Sequence, residues 1–235
     1  MGQKPGVTSK KESEDNRAPT HDMKDQNEAS EARPQMAARK SNAVDIDSAV
    51  ADTFNQLPPY PSPLPQPHPE FVHCMPPEPP VYRRYSVFTA GSIEMGKAVQ
   101  WQQRMALALS HLPITVLNPR RGHWDPTVTK EAKDKSFRQQ VEWELEALEK
   151  ATVICFFFDV NTMSPVTMLE LGLWSHSGKV VVCCNKEFWR AGNIHIVCER
   201  YGITCVGSFV ELVPAIQDML KEKGMKLDKE NNLVE

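Results

Sequence analysis

The 235-residue chain lacks any apolar run that approaches 18 residues, and no signal peptide opens it. We therefore expect no membrane span and no membrane partner. A basic stripe interleaved with aromatic residues is also absent, and 27 Lys+Arg stand against 30 Asp+Glu. This balance argues against a nucleic-acid polymer as partner. The absences together favour a soluble, cytoplasmic protein.

A disulfide framework and a metal site are both disfavoured by the cysteine pattern. The six cysteines include no C-x-x-C spacing, and Cys183 and Cys184 are adjacent, which is awkward for a framework of bridges. Cys155, Cys183 and Cys184 fall in predicted strands, where a free thiol behaves as a small buried hydrophobe. His195 and Cys198 have the i,i+3 spacing of zinc ligands but no second pair. We therefore expect no metal.

Proline divides the chain into unequal parts. Of the 19 prolines, most precede residue 81 and concentrate between Pro58 and Pro80. Residues 1–57 are polar, with Phe54 their only aromatic side chain, and cannot bury enough surface to fold. We predict a disordered tail over 1–57, an extended Pro-rich linker over 58–80, and one folded domain over 81–235.

The folded part alternates between strand and helix patterns. Strands are predicted at 85–90, 114–117, 152–158, 179–184 and 204–206, with helices at about 95–110, 136–150, 164–178 and 209–223. Ser164 is a plausible N-cap with Pro165 at the first helical position. The alternation predicts an α/β fold, a Rossmann-like doubly wound parallel sheet of about five strands. Ligands of such folds bind beyond the carboxyl ends of the strands, here at 91–96, 118–125, 159–164 and 185–193.

Two glutamates occupy helix positions that should be apolar. Glu144 falls about 20° from Phe137 on a helical wheel, within the stripe formed by Val141, Leu145 and Leu148. Glu170 lies in the run MLELGLW, between Leu173 and Trp174, with no polar face available. A carboxylate removed from water without a partner costs several kcal/mol or loses its charge. The pattern indicates a site with paired acids, or alternatively structural ion pairs in which Arg138 or Lys150 partners Glu144.

Two strand-end segments admit both a functional and a structural interpretation. Gly91–Ala98 matches G-x-x-x-x-G-K, but Ala98 stands where a Mg²⁺-binding hydroxyl is needed and Glu94 would repel a triphosphate. We favour a turn whose backbone N–H groups and Ser92 approach a sugar or one phosphate. In Asn118–Asp125, Arg120 and Arg121 could bind phosphate or carboxylate while Trp124 stacks on a base. Alternatively, Pro119 ends the strand and both arginines are solvated.

These residues resemble a known family. Gly91-Ser92-Ile93, the helix with Glu144, and Ser164 placed six residues before Glu170-Leu171-Gly172 are similar to the nucleoside 2-deoxyribosyltransferase superfamily, which includes 2'-deoxynucleoside 5'-monophosphate N-glycosidases. The fuller set GSIEMG, NPRR, WD, SPVTMLELG and FWR resembles its transferase-like branch. The resemblance covers roughly Tyr85 to Val206.

The resemblance implies a flavodoxin-like sheet and double displacement at the anomeric carbon. Glu170 matches the nucleophile of the E-L-G motif, and Glu144 matches an aspartate that handles the leaving base. In the mechanism that we expect, Glu144 or Asp159 assists protonation of that base. Gly91 and Ser92 match the turn that lines the sugar, and Ser164 matches a polar contact to sugar or phosphate. We add Glu94, Asn118, Arg120, Arg121, Trp124 and Asp125 as candidate substrate contacts. No cofactor is required, and relatives share active sites within homo-oligomers.

Two positions depart from the family pattern. Relatives often carry a tyrosine on the first strand that holds the nucleophile, whereas this chain has Val87 there, with Tyr85 two residues earlier. Either the nucleophile is aligned differently or Tyr85 substitutes. Glutamate in place of aspartate at 144 shifts the acid by about 1 Å, and such a displacement costs on the order of 100-fold in rate.

Two functions follow as hypotheses. The first is cleavage or transfer of the N-glycosidic bond of a 2'-deoxynucleoside or nucleotide through a covalent glycosyl-enzyme. The alternative is a non-catalytic module that senses a nucleotide and presents the Pro-rich segment, with spacings such as Pro58-Pro59-Tyr60-Pro61, to a partner that recognises proline-rich motifs.

Overall fold

The computed structural model describes residues 50–121 and 130–234 of the chain. Trp124 and Asp125, two of the predicted substrate contacts, lie outside the described residues, as does most of the predicted tail. The strands are β1 (Val72–Cys74), β2 (Ser86–Gly91), β3 (Thr115–Leu117), β4 (Val153–Phe158), β5 (Val180–Cys184) and β6 (Thr204–Val206). The helices are α1 (Trp101–Leu109), α2 (Lys135–Lys150), α3 (Pro165–Trp174), α4 (Ala191–Tyr201) and α5 (Phe209–Glu222).

All strands join one parallel sheet in the order β1-β3-β2-β4-β5-β6. Without β1, this is the flavodoxin-like order 2-1-3-4-5, so the doubly wound fold predicted from the sequence is confirmed. The strand order reverses between β2 and β4, whose register pairs Gly91 with Phe157. A ligand site is expected beyond the carboxyl ends of these two strands.

Helices cover both faces of the sheet, which explains why β4 reads as a continuous apolar run. One face packs on α1 and α5 through residues such as Trp101, Met105 and Ile216. The other face packs on α2, α3 and α4 through residues such as Trp143 and Leu171. The two carboxylates predicted to form the site therefore lie on helices of the same layer, Glu144 on α2 and Glu170 on α3.

The sixth strand comes from the segment predicted to be a linker. Val72 pairs with Thr115 at the sheet edge, and Phe71 and Leu57 pack against the core. Further upstream, Gln56 hydrogen-bonds to Asp159. An edge strand needs one neighbour only, so three residues can pair although prolines flank them. The domain thus incorporates residues upstream of position 81, including some from the range predicted to be a disordered tail.

Two helices differ from their predicted form. Helix α1 begins at Trp101 rather than near Met95, because Met95 has a left-handed backbone (φ 54°) that an α-helix cannot contain. Helix α2 is rotated relative to the predicted stripe. It buries Gln140, Trp143, Ala147 and Leu148, whereas Leu145 is 48% exposed. Glu144 still lies on the inward side of the helix, next to Trp143.

Within the described ranges 50–121 and 130–234, no helix has the length and apolar character needed to cross a membrane.

Candidate active site

A cluster of buried hydroxyl groups lies where the strand order reverses. Ser92 follows β2, and its Oγ is 2.6 Å from Ser164 Oγ and 2.9 Å from Thr162 Oγ1. Thr162 Oγ1 is in turn 2.7 Å from Ser164 Oγ. The backbone N–H of Asp159 also donates to Ser92 Oγ at 2.9 Å. These contacts join the ends of β2 and β4 to the start of α3.

Asp159 is fully buried and its carboxylate is engaged on both oxygens. Oδ2 accepts from the backbone N–H of Val99 at 2.7 Å. Oδ1 accepts from the N–H of Asn161 at 2.8 Å and from Gln56 Nε2 at 3.0 Å. The side chain therefore ties together the β4–α3 loop, the approach to α1 and the upstream segment.

The backbone around this cluster is strained at three non-glycine residues. Glu94, Met95 and Ser164 have φ values of 45°, 54° and 48°, in the left-handed region that is costly for such residues. Ser164 precedes α3 as predicted, but its side chain caps no helix N–H, because its hydroxyl contacts Ser92 and Thr162. Glu94 Oε2 instead accepts from the N–H of Met163 at 2.7 Å. Strain of this kind concentrates at functional sites.

Gly91 is required by close packing between β2 and β4. A Cβ atom at this position would lie 2.5 Å from the carbonyl oxygen of Phe157 and 2.7 Å from the ring of Trp101. Its φ of 150° also disfavours any side chain. Gly91 thus brings the turn with Ser92 against β4.

Arg120 is a buried organiser of the turn between β2 and α1. Its Nη1 donates to the carbonyl of Val99 at 2.9 Å, and its Nη2 donates to the carbonyl of Ala98 at 2.9 Å. The Arg120 side chain is 1% exposed. It is therefore not solvated, and its guanidinium binds backbone carbonyls rather than pointing toward a ligand as one interpretation of the sequence predicted. Its backbone N–H donates to the side chain of Asn118, which also contacts His73 on β1. Both residues therefore shape the strand end.

Arg121 and Glu144 are connected through Gln140. Arg121 Nε donates to Gln140 Oε1, and Gln140 Nε2 donates to Glu144 Oε1 at 2.6 Å. Burial raises the pKa of Glu144, while the Gln140 hydrogen bond and the Arg121 charge act to lower it. The predicted ion pairs of Glu144 are not observed: Arg138 contacts Glu142, and Lys150 contacts Glu146.

Glu170 is the most perturbed carboxyl group of the site. Burial, followed by repulsion from the negative charge of Glu144, raises its pKa to about 8. In the described part of the chain, no side chain or backbone group donates a hydrogen bond to its carboxylate. Glu144 therefore lies close enough to affect the ionisation of Glu170, and burial disfavours the charged form of both acids.

Neither Val87, at the position that matches the family tyrosine, nor Tyr85, its predicted substitute, lies beside this pair. Tyr85 precedes β2 at its amino end, and its hydroxyl lies near Gly224 after α5. Val87 is buried in the core that faces α1 and α5, on the sheet face opposite α2 and α3. Tyr85 therefore does not replace the tyrosine that the resemblance implies.

The structure thus groups the candidate residues into two sets. Hydrogen bonds join Ser92, Asp159 and Ser164, next to Gly91, and Glu94 accepts from the N–H of the adjacent Met163. Arg121, Glu144 and Glu170 form the second set. Sequence analysis missed Gln140 and Thr162. The i−4 spacing of Gln140 from Glu144 could have revealed the first, and the strand-end position of Thr162 the second. Over 50–121 and 130–234, no cluster of three or more His, Cys, Asp or Glu side chains could hold a metal ion.

Fold and site together define a flavodoxin-like α/β protein that carries two partly buried acids on neighbouring helices, with the charge of Glu144 raising the pKa of Glu170. Residues 84–188 match the model of a family described as nucleoside 2-deoxyribosyltransferase like. The family resemblance stated from the motifs is thereby confirmed. The matched range contains all the candidate residues named above. A search of curated proteins gives no match.

Proposed function

We propose that the protein cleaves or transfers the N-glycosidic bond of a 2'-deoxynucleoside or its nucleotide. The observation that carries the proposal is the pair of partly buried carboxyl groups, Glu144 and Glu170, in which the charge of Glu144 contributes to the raised pKa of Glu170. Enzymes that cleave glycosidic bonds commonly use two acids whose pKa values are shifted from the ordinary range. The family match over residues 84–188 supports this reaction class.

The two acids share one proton in the proposed reaction. Repulsion between them disfavours the doubly ionised state. In the reactive form, ionised Glu170 attacks C1' and protonated Glu144 passes its proton to the departing base. Gln140 and Arg121 then stabilise the Glu144 carboxylate that remains. Water completes hydrolysis of the glycosyl-enzyme, and a second base completes transfer.

The hydroxyl cluster shapes the sugar subsite in this proposal. Ser92 and Ser164 are buried and bonded to each other, so they hold the loops around the subsite, and the strained turn with Glu94 forms one wall. A 2'-deoxyribose suits a site of this kind because lack of the 2'-hydroxyl makes an oxocarbenium-like transition state less costly. Arg121 is the candidate contact for a 5'-phosphate, since the guanidinium of Arg120 is committed to backbone carbonyls.

The test is base release by the purified full chain. Common 2'-deoxynucleosides and their 5'-monophosphates are incubated with and without a second free base, and products are followed by chromatography. We expect release that depends on Glu170, with hydrolysis and transfer distinguished by the acceptor. Absence of release from every substrate, with the protein folded by circular dichroism, would contradict the proposal.

The binding module is the second candidate, and the surroundings of Glu170 favour it. With a pKa of about 8 and no donor among the described residues, Glu170 is mostly protonated at neutral pH in the unliganded protein. The Pro-rich segment packs on its own domain: the Arg104 guanidinium lies 3.3 Å from the ring centre of Tyr60 and donates to the Pro58 carbonyl. A partner must therefore compete with Arg104. Nucleotide binding without base release, unchanged in Glu170→Gln, would support this function.

We also propose that the protein is a homo-oligomer in which a second copy covers α3. Val166, Leu169 and Leu173 are between 60% and 63% exposed on this helix, which carries Glu170. Exposed apolar side chains grouped on one helix commonly mark an interface. Light scattering after gel filtration is expected to give a multiple of the 26.6 kDa chain mass. Leu169→Lys should reduce that mass, and a monomeric wild type would contradict the proposal.

A further inference from the structure

A second cleft lies at the carboxyl ends of β5 and β6, away from the paired acids. Its volume is about 530 Å³. Three of the six cysteines line it: Cys184 from β5, Cys198 from α4 and Cys205 from β6. The proposed glycosidic reaction uses none of them.

Cys205 differs from every other cysteine of the chain. It is partly exposed, whereas the other five are buried. Cys205 packs against the hydrophobic cluster that contains Cys198, and both residues line the cleft. The neighbouring Cys198 thiol and the charge of His195 lower the pKa of Cys205, whereas the pKa of Cys198 is raised. Cys205 is thus both the more accessible and the more acidic thiol of the two.

The residues that line the cleft include charged groups of both signs. Lys186 and His195 are basic, and Glu199 is the acidic residue of the lining. His195 Nε2 lies 2.9 Å from the carbonyl oxygen of Cys184, which fixes the ring at the cleft wall. The thiol of Cys184 is buried, and burial contributes most to raising its pKa to about 12, so it remains a protonated bystander.

We propose that Cys205 and Cys198 form a peroxide-reactive thiol pair that closes to a disulfide. The Cys205 thiolate attacks the distal oxygen of a small hydroperoxide, forming a sulfenic acid and, after protonation, releasing an alcohol or water. Cys198 then attacks the sulfenic sulfur, its thiol proton leaves with the hydroxyl as water, and the S–S bond forms. The dithiol loses two electrons, and the hydroperoxide gains them.

Local architecture permits the approach that the disulfide requires. The two sulfurs must come together to about 2.05 Å. Cys205 lies on β6, at the edge of the sheet next to β5, and the glycine-containing turn at Gly202 separates it from α4. A three-residue edge strand next to such a turn can shift without breaking the central sheet.

The experiment treats the reduced full chain with one equivalent of hydrogen peroxide at pH 7, then alkylates under denaturing conditions and maps peptides by mass spectrometry. We expect a Cys198–Cys205 disulfide as the first product. Without peroxide, iodoacetamide should modify Cys205 in the folded protein at least about tenfold faster than any other cysteine, because Cys205 is partly exposed and its pKa is lowered, whereas the other cysteines are buried. Peroxide that leaves both thiols free, or that first oxidises another pair, would overturn the proposal.

Three variants separate the roles of the cysteines. Cys198→Ser should halt the reaction at a Cys205 sulfenic acid that dimedone traps, whereas Cys205→Ser should abolish both products. Cys184→Ser is the matched control, from the same cleft, and should form the disulfide at the wild-type rate. Equal loss of disulfide in the control would contradict the assignment. Peptide mapping of the wild type decides the matter without any variant, should a substitution impair folding.

Discussion

The two halves of the candidate site differ in how fully their buried polar groups are hydrogen-bonded. Around Asp159 and the hydroxyl cluster, both carboxylate oxygens and all three hydroxyls have protein partners. Around the acid pair, Glu144 has one hydrogen-bond donor, Gln140, within the described ranges, and no donor to Glu170 is observed there. Polar groups whose hydrogen bonds are all made within the protein fix the local geometry. Acids without such partners can still bind or react with a ligand.

This difference assigns distinct tasks to residues that the sequence placed in one group. Asp159 was a candidate for base protonation, but three donated hydrogen bonds suit it to holding loops. Glu144 and Glu170 lie on α2 and α3 and repel each other. The comparison therefore predicts that substitutions in the first set act mainly on stability and those in the second set mainly on rate.

Glu170→Gln should produce the largest effect. The amide cannot form the glycosyl ester, so we expect kcat/KM for base release to fall by at least about 10⁴-fold. Glu142→Gln is the matched control, since its exposed carboxylate contacts Arg138 on the solvent face of α2. The control should keep full activity. Retention of activity in Glu170→Gln would remove the nucleophile assignment altogether.

Glu144→Gln should cost about 10²–10³-fold in kcat/KM on ordinary substrates, the range of one general acid. A 7-methylguanine nucleoside, whose base already carries positive charge, should lose far less because it leaves without protonation. For the wild type, activity should fall above about pH 8 as the pair loses its shared proton.

The pH profile sharpens the assignment of Glu144. In Glu144→Gln the repelling charge is gone, so the pKa of Glu170 should decrease and the alkaline loss should disappear. Rates with the methylated substrate, measured between pH 5 and 9, test both points. An unchanged alkaline limb would mean that another group controls the profile.

Asp159→Asn should act on stability. An amide has one accepting oxygen, so the N–H of Val99 or of Asn161 must face an NH₂ group. One buried donor without an acceptor, together with a lost charged hydrogen bond, should reduce the free energy of unfolding by about 2–3 kcal/mol. Thermal unfolding is the measurement, with an expected decrease in Tm of about 5–10 °C. A normal Tm combined with lost activity would instead indicate that Asp159 takes part in the reaction.

Much of the fold follows from local patterns in the sequence. The apolar run of β4 and the alternation with amphipathic helices predict a doubly wound parallel sheet. Strand β1 escaped prediction because three residues between prolines have no pattern of their own. Pairing with β3 creates that strand, and pairing is a property of the assembled chain.

The candidate site was predictable where helix geometry decides and unpredictable where loops decide. Glu144 and Glu170 were found because each breaks an apolar helical face. The Arg120 guanidinium binds the carbonyl groups of a turn that precedes α1. No spacing rule in the sequence predicts that these carbonyls point toward Arg120. Likewise, Tyr85 is two residues from Val87 in the sequence, but it lies at the amino end of β2. The expected ligand edge is at the carboxyl end of that strand.

The smallest predicted effect tests the acid pair without any substrate. Glu170 has a folded-state pKa of about 8, against an ordinary value of 4.5. Between these values the folded protein binds more protons than the unfolded chain, so stability should fall as pH rises from about 4.5 to 8. Glutamine has no proton to lose. Glu170→Gln should therefore match the wild type near pH 4.5 and exceed it increasingly toward pH 8, by about 1–2 kcal/mol after allowance for solvent screening. Urea unfolding at several pH values measures the difference, and Glu142→Gln should show none. A constant difference across this range would mean that Glu170 ionises normally, and the contrast between the two halves of the site would then rest on hydrogen bonding alone.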